Sequence, residues 1–458
     1  MTGALRVFVD RLVPASLYGG QTALPALSKI DLALRHCASA DAAASVLENS
    51  KAGLYHLLAH RFSSPAAQAL TLKMLNLFLS RHHFHARDTV LLSRPFGLVV
   101  DPSNMCQLAC PGCVHSERAG ELNLFDWKKG TLGEDRFRAL LGQYGPSAIG
   151  IYFCNYGEPL LNRNTPNLIR LAKRYLIATA LSTSLSVQHF DAEAYVESGL
   201  DFMVLSIDGA TQSVYETFRR NGNLDLVFAN IRSLVNAKRR LGKQTPVLSW
   251  NFLAFEHNAH QIPLAERLAR QLGVNVFRVV NPFDVGWDDP NLRPAAVRPY
   301  VRRLDWTSIS NPPENWNPFP ESLEAGAIAG AFATPLNRRE VRTRPNHGHT
   351  CHWLYKNMAM DARGRILPCC GAPRPDTRLV FAKFDAGGDD VFNSEMYRQA
   401  RAFFRQGGSP APGDGPYCTR CEWDHETVNI GSPEIRRYFR AADPSFFDWR
   451  SVELLAGW

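Results

Sequence analysis

From Pro95 to Val280 the sequence alternates short apolar runs with amphipathic stretches, and few folds accept that alternation. The runs are FGLVVDP, AIGIYFC, IATALST, FMVLSID, VLSWNFLAF and VNVFRVV. Segments such as EDRFRALLGQY, NLIRLAKRY and LVFANIRSLVNAKRR separate most of them. A short apolar run reads as a buried strand, and the segments between carry apolar residues at helical spacing. Strand and helix in alternation build a parallel sheet, and six such units make most of a barrel. The sequence therefore predicts an α/β fold, a partial (β/α)6 TIM-like barrel over residues 93–281. Ligand-binding residues of such folds sit on loops at the carboxyl ends of the strands.

Residues 1–92 read as a helical N-terminal region, from DLALRHCASADAAASVLENS and PAAQALTLKMLNLFLSRHHF. In the second of these, Gln68, Lys73, Asn76, Ser80 and His83 form a narrow polar stripe. Such a stripe marks a helix buried on most sides, here against the next domain, with interfacial membrane contact as the alternative. The tract Arg81 to Arg87, RHHFHAR, offers histidines to a metal or is a solvated helix end; Cys37, on the apolar side of its helix, is expected in the core. Residues 282–345, rich in Pro, Asn and Trp, read as a linker or wrapped segment without regular elements. Residues 346–430 form a compact cysteine-containing module, and 431–458 a tail.

At 458 residues and 45% hydrophobic the chain can bury a large core without disulfides. It shows neither a secretory signal nor an apolar run of membrane-spanning length, so a cytoplasmic protein with reduced thiols is expected. Closely spaced cysteines are then metal ligands or catalytic groups rather than cross-links. The net charge of +8 is spread along the chain, with short clusters such as Lys238-Arg239-Arg240. No basic stripe with interleaved aromatics appears, so nucleic acid is not an expected partner.

The loop after the first apolar run is CQLACPGC, which places Cys106, Cys110 and Cys113 at the barrel mouth. A closed zinc site needs four ligands, whereas an iron–sulfur cube on three cysteines keeps one iron open. A zinc loop borrowing a distant fourth ligand is the alternative. The stretch resembles the radical S-adenosylmethionine (radical SAM) superfamily, and two further motifs extend the likeness. In CNYGEPLL, Gly157, Glu158 and Pro159 look like the superfamily's segment that receives the methionine amino group, with Glu158 pinning the ammonium. SIDGATQSVYETFRRNGNLDLVFANI closely resembles the SPASM/Twitch branch, with Ser206 where the superfamily places a cofactor contact. Thr183, in LSTSLS, is a further cofactor-binding candidate, or merely caps the next helix. Gly112 departs from the bulky residue the family often has there; the resemblance implies an adenine contact through backbone, which glycine can make.

The resemblance covers roughly Pro95 to Ile430. Downstream, Cys351, Gly364 in DARGRILPCC, Cys369, Cys418 and Cys421 look like the shortened SPASM, or Twitch, arrangement, with Cys370 as the alternative to Cys369. EWDHETVNI adds no cysteine, which implies one auxiliary [4Fe–4S] cluster beside the SAM-binding one; a zinc ribbon is the alternative. The implied cofactors are these clusters and S-adenosyl-L-methionine, with an electron donor such as a flavodoxin or ferredoxin. The implied chemistry is reductive cleavage of SAM to a 5′-deoxyadenosyl radical that takes a substrate hydrogen. The expected enzyme is an oxidoreductase that dehydrogenates a small molecule. Maturation of a ribosomal peptide by cross-linking or epimerisation, and a non-enzymatic metal-stabilised scaffold, are the alternatives. Cys154, at the end of the second run, is a catalytic candidate as a hydrogen donor, or a small core residue.

Overall fold

The computed structural model describes residues 32–34, 36–39, 41–47, 49, 65–121, 128–282, 288–304, 351–369, 379–385, 388, 390–406 and 416–420. The six apolar runs form six strands: β1 (Gly97–Val100), β2 (Gly150–Phe153), β3 (Ala178–Thr183), β4 (Phe202–Ser206), β5 (Val247–Leu253) and β6 (Val276–Val280). They pair in parallel, each with the next in sequence. Preceding the strands is α1 (Pro65–Ala86); between them lie α2 (Glu117–Glu121), α3 (Glu134–Tyr144), α4 (Thr165–Lys173), α5 (Ala192–Glu197), α6 (Gln212–Phe218), α7 (Leu224–Arg240) and α8 (Ile262–Leu272). This is the α/β partial barrel the alternation predicts.

The two faces of the strands are chemically distinct. Trp250 on β5 packs on Phe228 of α7 and on Phe277 of β6, so that face meets the helices. Side chains alternate along a strand. Asn251 and Arg278, directly paired in register, therefore face the barrel interior, and Ser206 pairs with Asn251 in the same row. The carboxyl ends of β4 to β6 thus line the interior with polar groups above an apolar wall. Trp250 and Phe252 are fully buried in that wall, and truncating either to Ala costs about 3–5 kcal/mol.

Tertiary pairing adds strands at both edges. Within the stretch read as a linker, β7 (Tyr300–Arg303) pairs antiparallel with β6. At the other edge, α9 (Trp353–Lys356) leads into β8 (Asn357–Met360), which lies parallel to β1, with Gly97 opposite Asn357 and Val100 opposite Met360. β9 (Arg365–Leu367) and β10 (Ala382–Lys383) continue the sheet antiparallel, and α10 (Glu395–Arg405) packs beside them. The cysteine module is therefore an extension of the barrel sheet, ten strands in the order β10-β9-β8-β1-β2-β3-β4-β5-β6-β7. Gly364, with φ of +85°, makes the β8–β9 turn, a conformation that favours glycine.

The N-terminal helix corrects the reading of its polar stripe. Lys73, Asn76, Ser80 and His83 are buried. Lys73 donates to the carbonyls of Gly145 (3.0 Å) and Ala148. Asn76 both donates to and accepts from the Arg94 backbone, and Ser80 donates to the Tyr355 carbonyl at 2.8 Å. The stripe is the seam by which α1 docks on the barrel and on α9, each polar group satisfying backbone that docking takes from water. His82 and His83 are likewise buried rather than at a solvated helix end. Cys37 lies half-buried at a break between helical residues 32–34 and 41–47, where Ser39 accepts from the Ala42 N–H at 3.2 Å. Among the described residues no helix is long and apolar enough to cross a membrane. Residues 305–350, the tail, Cys370 and Cys421 lie outside the described residues.

Candidate active site

The loop between β1 and α2 carries Cys106, Cys110 and Cys113 to the mouth of the barrel. Leu108, Cys110, Phe218, Phe255 and Leu292 form a buried apolar cluster there, with Cys106, Cys113 and Leu253 packed against it. Burial pushes all three thiols up, Cys113 to about 11, while Arg219 beside Cys110 pulls the other way. Arg219 donates to Asp208 (2.5 Å) and reaches the Cys110 sulfur at 3.8 Å. Burial works against its charge, but Asp208 and Cys110 outweigh that and keep the guanidinium protonated. A permanent cation beside buried thiols favours their thiolate forms, which is what a metal requires.

The spacing of the thiols bears on which metal. A tetrahedral zinc with Zn–S bonds of about 2.3 Å sets its sulfurs about 3.8 Å apart. Among the described residues, the one trio of candidate ligand atoms within 4.8 Å of one another is that of His82, His83 and Asp88. At least one pair of the Cys106, Cys110 and Cys113 sulfurs therefore lies more than 4.8 Å apart, so the three are not closed around a single tetrahedral ion. The histidine trio itself reads as structural. The His83 Nε2 accepts from the Leu92 N–H at 3.0 Å, so Nδ1 carries the proton and donates to Asp88 at 2.7 Å. A metal on Nδ1 would require losing that proton and forming an imidazolate.

Gly112 has φ of +76°, where a side chain would be strained, which explains the departure to glycine in this loop. Its N–H donates to Asp288 at 2.6 Å, and Arg220 donates to Asp289 at 2.8 Å. Part of the presumed linker is therefore a clasp over the cysteine loop.

Beside this loop, Gly157 packs so closely that a Cβ would collide with the Ser103 carbonyl. The Glu158 N–H donates to the Met105 carbonyl at 2.7 Å, which fixes the segment against the cysteines. The Glu158 carboxylate is buried and accepts four hydrogen bonds: from the Thr183 hydroxyl (2.6 Å), the Ser184 N–H (2.9 Å) and hydroxyl (2.8 Å), and the Leu160 N–H (3.2 Å). Burial pushes its carboxyl up and these donors oppose that. Thr183 is thus more than a cap: it holds Glu158. Pro159 opens the short 3-10 turn that follows. Ser206 sits two strands away from this segment, its hydroxyl 3.3 Å from that of Ser182, and Cys154 is half-buried where β2 ends.

Three residues escaped the sequence reading although their motifs were quoted: Arg219, described above, Asp208 and Asp101. Asp208 anchors Arg219 and accepts from the Leu253 N–H at 2.7 Å. Asp101, fully buried at the end of β1, accepts from the N–H groups of Asn155 (2.8 Å) and Tyr156 (3.0 Å), and so aims the loop that carries Glu158. Burial and the neighbouring Asp361 push its carboxyl to about 7 against those donors. Both aspartates appear directly after an apolar run, the signal that would have found them.

In the downstream module Cys351 and Cys418 are buried and Cys369 is half-buried. Cys369 and Cys418 both act on Tyr397 of α10, and Cys351 heads α9. The fourth expected ligand, Cys421, lies outside the described residues.

No protein-family model matches the sequence. The chain is 24% identical over 313 residues to a PqqA peptide cyclase of Xanthomonas campestris pv. campestris (strain B100), across 68% of this chain and 76% of that one. It is 26% identical over 208 residues to a GTP 3',8-cyclase of Chlorobaculum tepidum, across 43% and 59%. Among solved structures it is similar to Streptococcus suis SuiB bound to S-adenosylmethionine, at TM-score 0.44 and 15% identity over 81% of this chain and 80% of that one.

Proposed function

We propose that this chain is a radical S-adenosylmethionine enzyme and that the hydrogen it abstracts belongs to a peptide. The observation that supports the peptide reading is the likeness to a PqqA peptide cyclase over 313 residues, 68% of the chain. When bound, the cofactor pair supplies one-electron cleavage of the sulfonium to a 5′-deoxyadenosyl radical, which removes a hydrogen atom from carbon.

The chain's own groups do the rest. Cys106, Cys110 and Cys113 hold the cluster, and Arg219 offsets their negative charge. Gly157 allows the Glu158 segment to lie against the cysteine loop. With its four lone-pair positions already taken by Thr183, Ser184 and Leu160, Glu158 attracts the cofactor's ammonium by charge. Gly112 and Ser206 contribute backbone and hydroxyl contacts. The apolar coat of Leu108, Phe218, Phe255 and Leu292 excludes water and stray hydrogen donors from the mouth.

Cross-linking a peptide and dehydrogenating a small molecule both discard one further electron and a proton after abstraction. The auxiliary site serves either reaction, so the cysteines there do not separate them. Epimerisation instead returns a hydrogen atom, and Cys154, half-buried where β2 ends, would be its donor.

The test uses anaerobically reconstituted full-length protein with SAM, a strong reductant and synthetic peptides encoded by short neighbouring reading frames. A peptide product lighter by two hydrogens supports cross-linking. A product of unchanged mass that gains carbon-bound deuterium in heavy water, and that is lost in Cys154→Ala, supports epimerisation. Turnover of a sugar or cyclitol with every peptide left untouched would return the reading to small-molecule dehydrogenation.

A further inference from the structure

Lys356 ends α9, and its side chain is 2% exposed. Its Nζ has no hydrogen-bond partner among the described residues. A buried ammonium left without acceptors costs several kcal/mol, and proteins do not keep one without an anion in reach. The other buried lysine of the docking seam shows the contrast: the Lys73 Nζ donates to two backbone carbonyls. Burial pushes the Lys356 amine down to about 7, and the one charge that opposes this among the described residues is that of Cys351. Cys351 is the residue that the downstream motif assigns as an iron–sulfur ligand.

Resting on the reading that Cys351, Cys369 and Cys418 hold an iron–sulfur group, we infer that Lys356 is its buried counter-charge, donating N–H to its sulfurs and making it easier to reduce. A group closed by thiolates is anionic, and its sulfurs accept hydrogen bonds. Adding an electron adds negative charge, which a fixed cation in a low-dielectric interior stabilises. The electron concerned is the one a substrate radical gives up after hydrogen abstraction. Lys356 thus biases the auxiliary site toward accepting it. The residue acts through the cluster and is a positioning residue of charge.

The experiment is a redox titration followed by electron paramagnetic resonance, on reconstituted full-length protein carrying Cys106→Ala, Cys110→Ala and Cys113→Ala so that only the auxiliary signal remains. In that background Lys356→Met is expected to keep its iron and to lower the reduced-to-oxidised ratio at fixed potential about tenfold, equal to about 59 mV for one electron. Lys356→Arg, which keeps the charge, should restore it. Loss of iron from Lys356→Met with retention in Lys356→Arg would also support the inference. If both variants keep iron and share the parent's potential, or if both lose it, the inference falls while the cluster reading stands. An auxiliary site that holds zinc, or no metal, in the parent background would overturn the cluster reading and the inference with it.

Discussion

The two cysteine sites of this protein are built by opposite means. At the barrel mouth three thiols come from eight consecutive residues, 106–113, and the fold has only to hold one loop in place. The downstream thiols are spread between positions 351 and 418, on segments that the sheet positions: β8 pairs with β1, and Tyr397 of α10 donates to the Leu367 carbonyl of the hairpin that follows. The first site also carries a matched charge pair, Arg219 on Asp208, whereas the second has Lys356 with no acceptor among the described residues. A local motif can take its electrostatic partner from another strand end, here that of β4. A dispersed site depends on the whole sheet, and its charge balance closes only when the anion is present.

Emptying the two sites separately should give the largest contrast. Replacing Cys106, Cys110 and Cys113 by Ala should abolish 5′-deoxyadenosine formation and leave about four of roughly eight irons per chain. Replacing Cys351 and Cys418 should leave the other four, with SAM cleavage retained and substrate turnover stopped. Undiminished cleavage in the first variant would end the assignment.

Removing Arg219 tests whether the mouth depends on its charge pair. Arg219→Ala leaves Asp208 buried and unpaired, which should cost about 3–5 kcal/mol in denaturant unfolding. Adding Asp208→Asn should recover most of it. A loss below about 1 kcal/mol would show that the pair matters little to the fold.

Gly157→Ala tests close packing rather than charge. Its Cβ would meet the Ser103 backbone, so an overpacking penalty of about 1–3 kcal/mol and weakened SAM binding by calorimetry are expected. Unchanged binding would mean that the Glu158 segment tolerates displacement from the cysteine loop.

At the seam where α1 docks on the barrel and α9, a charge is titrated rather than removed. Burial pushes the Lys73 amine down to about 7 from 10.5. Between those values the unfolded chain binds a proton that the folded chain does not, so stability rises with pH, by at most about 1.4 kcal/mol per unit. Lys73→Met should remove one proton's share of that slope and leave the share of Lys356, which burial pushes to the same value. An unchanged slope would place the titration elsewhere.

Much of this was legible in the residues alone. The six strands fall where six apolar runs stand, because a strand buried on both faces must be apolar along its length. The CQLACPGC loop, Gly157 and Glu158 were readable because their chemistry is local. The α1 stripe was harder: period and composition told of a mostly buried helix, yet the polar residues turned out to be the ones docked. Hydrophobic pattern alone does not separate a polar group facing water from one facing unsatisfied backbone. Asp101 and Asp208 were missed for a related reason, since each acts on N–H groups or a guanidinium far from it in sequence.

By itself, then, the sequence determined the barrel, the cysteine loop and the kind of cofactor such a loop suits. Those features follow from periodicity and from the spacing of ligands along a few residues. Only the tertiary structure decided that the downstream module continues the barrel sheet through β8, that Asp288 holds the Gly112 N–H of the cysteine loop, and that Lys356 is buried with no acceptor among the described residues. Strand pairing, long-range hydrogen bonds and the desolvation of a charge depend on which distant groups meet, and that meeting is settled by packing.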